Sequence, residues 1–126
     1  MNKLELVKSS LASHIGEEKI KKFSPNRYLV DSGLILYNNY DVLPVNLVEV
    51  DDKVYFADYG QTLESFDINF DNLSTAFQEK LTRILKENGI EFDGQSLLKE
   101  TDNQHAFLDY NIFVKTIIII EHINER

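Results

Sequence analysis

The segment DYGQTLE, residues 58–64, carries two carboxylates that could do chemistry together. Asp58 ends a strand-like run and Glu64 begins a helix-like run, so the pair could hold a divalent cation such as Mg²⁺. A metal-dependent hydrolase or nuclease also needs a lysine or a further acid close by, and residues 57–66 supply neither. The structural alternative is a corner in which Gly60 takes a positive φ and Glu64 lies near a helix N-terminus. The sequence favours the corner and keeps a metal site at Asp58 and Glu64 as the alternative.

Other catalytic signatures are missing from the sequence. The chain has no cysteine, no Gly-x-Ser-x-Gly nucleophile elbow and no glycine-rich phosphate loop. Its histidines, His14, His105 and His122, form no His-x-x-x-His pair. His105 and Asp109 would share a helix face, where a hydrogen-bonded surface pair is commoner than a metal contact. We therefore predict no catalytic residue and expect no cofactor.

The charge of the chain is large and uneven. The formal net charge is −8, and residues 1–30 carry six Lys or Arg against three acids, whereas the remainder carries seven against eighteen. Such a field repels nucleic acid and favours a basic partner, although solubility is the commoner reason for surface acids. The residues predicted to bind a partner are Asp41, Glu49, Asp51, Asp52, Asp67 and Asp71.

A basic cluster near the N-terminus has the opposite character. Lys19, Lys21, Lys22 and Arg27 surround Phe23, a pattern that can track a phosphate backbone. Four charges would give a weak, salt-sensitive contact, and the acidic remainder of the chain opposes it. We interpret the cluster as a solvated helix end and do not expect direct binding of nucleic acid.

Size and hydropathy predict one domain in the cytoplasm. A chain of 126 residues, 43% of them hydrophobic, matches a single domain that can bury a core. The longest aliphatic run, residues 117–120, is too short to cross a bilayer, and the N-terminus lacks the apolar stretch of a secretory signal. We expect no membrane association, and the sequence leaves the oligomeric state open.

The order of the patterns divides the domain, residues 1–126, into three stretches. Residues 1–24 are predicted as an N-terminal helical segment, and residues 25–58 as a β-meander with turns such as 31–33. Residues 59–126 are predicted to hold a helix, a small hairpin and a closing helix. The apolar face of the first helix consists of Leu4, Val7, Leu11 and Ile15. That of the helix after the meander consists of Phe77, Leu81, Ile84 and Leu85.

These patterns predict an α+β fold. An antiparallel sheet of four to six strands carries the N-terminal helix and two later helices packed on it, because neither a helix nor a sheet buries its apolar face alone. The helix after the meander should end at Asn88 and Gly89. The closing segment contains four consecutive isoleucines, which permit a strand, but its length favours a helix.

One part of this pattern resembles a known family. An acid-x-Gly-x-Thr-Leu segment follows a strand at residues 58–63, and then come an amphipathic helix, a short hairpin and a closing apolar helix. This order is similar to that of an uncharacterised domain family of bacterial and phage proteins, and the likeness covers the chain from Tyr28 onward. Members often have a second acid directly before the glycine, where this chain has Tyr59. The resemblance implies a fold and an association with prophages or mobile elements, and it implies no activity.

The sequence supports two functional hypotheses. The first is a non-enzymatic acidic interaction protein of phage or mobile-element origin that binds a basic host protein. Its sharper form is an inhibitor that mimics nucleic acid. The second is a metal-dependent hydrolase or nuclease that uses Asp58 and Glu64.

Overall fold

The computed structural model describes residues 2–35, 42–64 and 73–123, apart from the side chains of residues 34, 35, 42–44 and 64. The elements, in chain order, are α1 (Lys3–Ile15), a 3₁₀ turn (Glu17–Lys19), β1 (Ile20–Ser24), β2 (Arg27–Ile35), β3 (Val42–Val50), β4 (Lys53–Ala57), α2 (Gln61–Glu64), α3 (Thr75–Glu87), β5 (Glu91–Phe92), β6 (Leu97–Thr101) and α4 (Ala106–Ile123). No helix in this part of the chain is long and apolar enough to cross a membrane.

The described strands form one antiparallel sheet in the order β1-β2-β3-β4-β6-β5. The first four strands make a meander, in which short connections join antiparallel neighbours. Strand β6 pairs with β4, from Val54 opposite Thr101 to Ala57 opposite Leu98, and so joins the small hairpin to the meander. The predicted α+β fold is confirmed, with six strands in an antiparallel sheet and helices packed on it.

One face of the sheet carries the core. Val30, Leu47 and Phe56 point to this face and are at most 1% exposed. Helix α4 packs on it through Phe113, whose ring centroid lies 6.2 Å from that of Phe56. The residues that α1 buries are Leu4, Val7, Leu11 and Ala12. Removal of this apolar surface from water stabilises the two layers against each other.

The predicted helical segment at residues 1–24 is wrong in its last part. Gly16 ends α1 with a φ of 105°, and residues 20–24 form β1 instead of more helix. Ile20 lies opposite Val30 of β2. Because β1 is an edge strand that buries Ile20 alone, its sequence lacks the alternating apolar pattern by which strands are recognised.

The predicted turn at residues 31–33 is also wrong, because β2 continues through it. Gly33 has a φ of 74°, and its N–H donates to the Asp31 carboxylate at 2.9 Å. The pairing with β3 shifts its register between Asp31 and Ile35. The turn-forming residues therefore produce a local irregularity within one strand and not a reversal of the chain.

Helices α3 and α4 agree with the sequence signals. The hydroxyl of Ser74 accepts the N–H of Phe77 at 3.2 Å at the start of α3, and Asn88 caps its end. Helix α4 runs unbroken through the isoleucine run, of which Ile117 and Ile120 are at most 1% exposed. Burial on the sheet and on α1 decides the helical state where local propensity alone would permit a strand.

Replacing Leu81 with Asp is expected to unfold the domain. The Leu81 side chain is 0% exposed, and an aspartate in its place would bury a charge without a partner. The control is Lys80→Asp, since Lys80 is exposed on the same helix. Circular dichroism with thermal unfolding measures both variants, and a Leu81→Asp protein that melts like the wild type would contradict this core.

Candidate functional site

Asp58 follows β4 directly, and it is completely buried, with 0% exposure. Its Oδ1 accepts the N–H groups of Gly60 at 2.9 Å and Leu97 at 2.8 Å, and its Oδ2 accepts the N–H of Thr62 at 3.1 Å. The Asp58 N–H in turn donates to the Leu97 carbonyl at 3.3 Å. One side chain thereby fixes the corner, the start of α2 and the start of β6.

These contacts leave Asp58 little capacity to bind a metal. Three backbone donors use lone pairs that a cation would need, and the group is closed to solvent. Glu64 belongs to α2, but its side chain is outside the described part of the chain, so the metal site at Asp58 and Glu64 stays a prediction. Within the described residues, no group of three or more His, Cys, Asp or Glu side chains could hold a metal ion.

The corner holds two consecutive residues at positive φ. The sequence predicts the positive φ of Gly60, which is 81°, but not that of Tyr59, which is 53°. A bulky residue in this region is unusual and costs about 1 kcal/mol or more. The hydrogen bonds of Asp58 hold the chain in this conformation and so place the Tyr59 ring on the surface.

The Tyr59 ring is one wall of a stack that the sequence did not reveal. The guanidinium carbon of Arg27 lies 4.1 Å from the centroid of the Tyr59 ring and 4.3 Å from that of Phe23. Phe23 is 60% exposed and Tyr59 is 43% exposed. We call Phe23, Arg27 and Tyr59 the Arg27 stack. The only sequence signal for it was the aromatic residue inside the basic cluster.

The residues predicted to bind a partner include a tight turn. Asp51 and Asp52 connect β3 to β4 with φ values of 51° and 69°, as in a type I′ hairpin turn. Both residues are exposed, and neither carboxylate belongs to an ion pair within the described residues. Lys3 donates instead to the Asp52 carbonyl at 2.7 Å. We call Asp51 and Asp52 the acidic turn.

Glu49 lies two residues before the acidic turn and is half-buried. Its N–H donates to the Asn26 carbonyl at 2.9 Å, and its carbonyl accepts Nδ2 of Asn26 at 3.4 Å. The β1–β2 connection and the acidic turn therefore lie at the same end of the sheet. The other predicted partner-binding residues, Asp41, Asp67 and Asp71, lie outside the described residues.

The pair of His105 and Asp109 that the sequence suggested does not form. Nδ1 of His105 lies 2.8 Å from Oδ1 of Asp102. Asp109 accepts the Thr101 hydroxyl at 2.8 Å and lies 3.7 Å from the Lys99 ammonium. The two residues therefore serve the junction of β6 and α4.

Asp102 caps the turn that leads into α4. Its Oδ1 accepts the N–H groups of Gln104 at 2.9 Å and His105 at 2.8 Å. Partial desolvation raises the pKa of Asp102, but the hydrogen bonds from the His105 ring and the two backbone N–H groups outweigh it, so the pKa lies below its ordinary value. This side chain is committed to the helix start.

A pocket of about 430 Å³ opens beside these groups. Its lining includes Lys3, Lys53, Glu100, Asp102 and Asp109. The acids among them are already engaged, since Glu100 lies 4.0 Å from Lys53 and the other two accept the hydrogen bonds just described. The acidic side chains of the lining therefore already have partners, and the pocket gives no indication of a ligand.

Comparisons with known proteins give no significant match to any protein-family model, curated protein or solved structure. The resemblance to an uncharacterised family of bacterial and phage proteins therefore stays a prediction. Function has to be argued from the geometry of this chain.

Asp58→Asn is expected to lower the free energy of unfolding by about 1–3 kcal/mol, because an amide nitrogen would replace one acceptor oxygen and face a backbone N–H. The matched control is Asp93→Asn. Asp93 is exposed and accepts Gln95 and Ser96 through one oxygen, which an asparagine keeps. The control should therefore stay within about 0.5 kcal/mol of the wild type. Urea denaturation measures both variants.

The same denaturation series in excess Mg²⁺ tests the alternative. A cation held by Asp58 in the native state would stabilise the wild type and not the variant. We expect Mg²⁺ to make no such difference. A gain confined to the wild type, together with unchanged stability of Asp58→Asn in the absence of the metal, would contradict the structural role of this carboxylate.

Proposed function

We propose that this protein is a non-enzymatic interaction protein that binds a basic protein partner through Glu49 and the acidic turn. The observation that supports this most is the acidic turn itself. It presents two adjacent, exposed carboxylates that form no ion pair within the described residues. Lysine or arginine side chains of a partner are the groups that such carboxylates bind best.

The backbone of the acidic turn is fixed before any partner arrives. Val50 pairs with Lys53 on either side of the turn, and Lys3 of α1 donates to the Asp52 carbonyl. Binding at the acidic turn would therefore restrict few additional backbone rotations, which reduces the entropic cost of association. A rigid pair of charges suits recognition better than the same charges on a flexible loop.

The charge of the whole chain supports the same proposal. A net charge of −8 attracts a basic partner over a distance of about one Debye length, roughly 8 Å at physiological ionic strength. This attraction accelerates encounter and weakens as salt is added.

Mimicry of nucleic acid by a phage or mobile-element inhibitor is the sharper form of the proposal. Carboxylates at a rigid sheet end would take the positions of phosphates in a basic groove. Asp41, Asp67 and Asp71 belong to this proposed surface on the strength of the sequence. The proposed origin rests on the resemblance of residues 58–63 and the order of elements after them.

A double variant, Asp51→Asn with Asp52→Asn, tests the proposal. It removes two charges and preserves the turn, since asparagine also tolerates positive φ. We expect a basic partner to bind roughly tenfold more weakly at low salt, with a shallower dependence on ionic strength. Capture from a bacterial lysate, identification by mass spectrometry and titration of the captured protein measure the effect.

The matched control is Glu79→Gln with Glu87→Gln, which removes the same charge from exposed positions on α3. This control should capture and bind like the wild type, because its charges lie away from the acidic turn. Equal affinity of the wild type and the double asparagine variant for every captured basic protein would contradict the proposal.

A further inference from the structure

We propose that the Arg27 stack is a second binding site, which takes the carboxylate of an aspartate or glutamate side chain on a protein partner. The site carries the opposite charge to the acidic turn and consists of different residues. A test that rejects the function proposed above therefore does not reject this second site.

The guanidinium of Arg27 is held in one orientation. The rings of Phe23 and Tyr59 cover its two faces, at 4.3 and 4.1 Å from the guanidinium carbon. Its Nε donates to Oδ1 of Asn46 at 2.9 Å. Asn46 is itself 1% exposed and donates to the Ala57 carbonyl at 3.2 Å. The plane and one edge of the guanidinium are thus fixed by groups of the sheet and the corner.

The remaining edge of Arg27 is available. Among the described residues, the terminal Nη groups have no hydrogen-bond acceptor, and no carboxylate lies within the 4.0 Å of an ion pair. A fixed guanidinium with unused donors, flanked by two exposed rings, has the composition of an interface centre, where Arg, Tyr and Phe are enriched.

The strained backbone of Tyr59 indicates that the ring position matters. Its φ of 53° is one that asparagine or glycine adopts more readily than tyrosine. A residue chosen only for the corner would not need an aromatic ring that is 43% exposed. The ring contributes the second wall of the Arg27 stack, and this contribution explains a tyrosine at this position.

The chemistry of the open edge defines the ligand. Two parallel N–H groups of a guanidinium match the two oxygens of a carboxylate or phosphate. The flanking rings cover the two faces of the guanidinium and so leave its edge as the place where a ligand can bind. Lys21 is exposed on β1, on the same face of the sheet as Arg27, and adds positive potential there.

The surroundings favour a single carboxylate over a nucleic acid. The formal net charge of the chain is −8, so a polyanion laid across its surface would be repelled. One acidic side chain on a neutral or basic protein surface would meet Arg27 without that penalty.

Titration of the ¹⁵N-labelled protein with a blocked Leu-Glu-Leu tripeptide tests the proposal by NMR. The reporter is the Nε–H signal of Arg27, which its bond to Asn46 protects from exchange. We expect a saturable shift of this signal and of the Phe23 and Tyr59 amides. The matching Leu-Gln-Leu tripeptide should bind at least fivefold more weakly, roughly the loss expected when a charge-assisted pair becomes neutral.

Two variants separate binding from folding. Arg27→Lys keeps the charge but lacks the planar fork, so the glutamate peptide should bind roughly tenfold more weakly. Arg83→Lys, at an exposed arginine on α3, is the control and should bind like the wild type. Tyr59→Asn relieves the positive φ and removes one wall, so its melting temperature should equal or exceed that of the wild type while the peptide binds more weakly.

Four results would overturn the proposal. One is the absence of a saturable shift at the Arg27 Nε–H. Another is equal binding of the glutamate and glutamine peptides. The third is an oligouridylate that binds the stack more tightly than the glutamate peptide, which would assign the surface to single-stranded nucleic acid. Weak peptide binding of Tyr59→Asn that is accompanied by a lower melting temperature would likewise assign the ring a structural role only.

Discussion

The buried carboxylate of Asp58 is the interaction on which the rest of the structure depends. It joins Asp58 to Leu97, 39 residues later in the chain, and it also accepts the N–H groups of Gly60 and Thr62. Three buried N–H groups without an acceptor would cost about 1–3 kcal/mol each. Their sum is a large part of the roughly 5–15 kcal/mol by which a domain of this size is stable. The corner and the junction of β4 with β6 are therefore one cooperative unit.

This unit determines what the surface presents. It holds Tyr59 at a positive φ and so completes the Arg27 stack, while the hairpin of β3 and β4 presents the acidic turn at the opposite end of β4. The surface therefore carries two rigid groups of opposite charge at separate positions. A protein surface with both acidic and basic side chains is complementary to such an arrangement, whereas a uniform polyanion is not.

The sequence predicts those features that local chemistry decides. It predicts the end of α3 at Asn88 and Gly89, and it identifies Asp58 as a corner residue. It misses β1, because an edge strand that buries only Ile20 resembles a solvated helix end. The bond from Leu97 to Asp58 and the Arg27 stack could not be predicted, since each combines residues from separate elements that only the register of the sheet brings together.

Native-state hydrogen exchange at the amides of Gly60, Thr62 and Leu97 tests the central claim most directly. If the Asp58 carboxylate holds all three, these protons exchange through global unfolding only, as slowly as those of the central strand β3, and Mg²⁺ leaves their rates unchanged. Exchange as fast as at the exposed residues of the acidic turn, or protection that arises only when Mg²⁺ is added, would contradict the account.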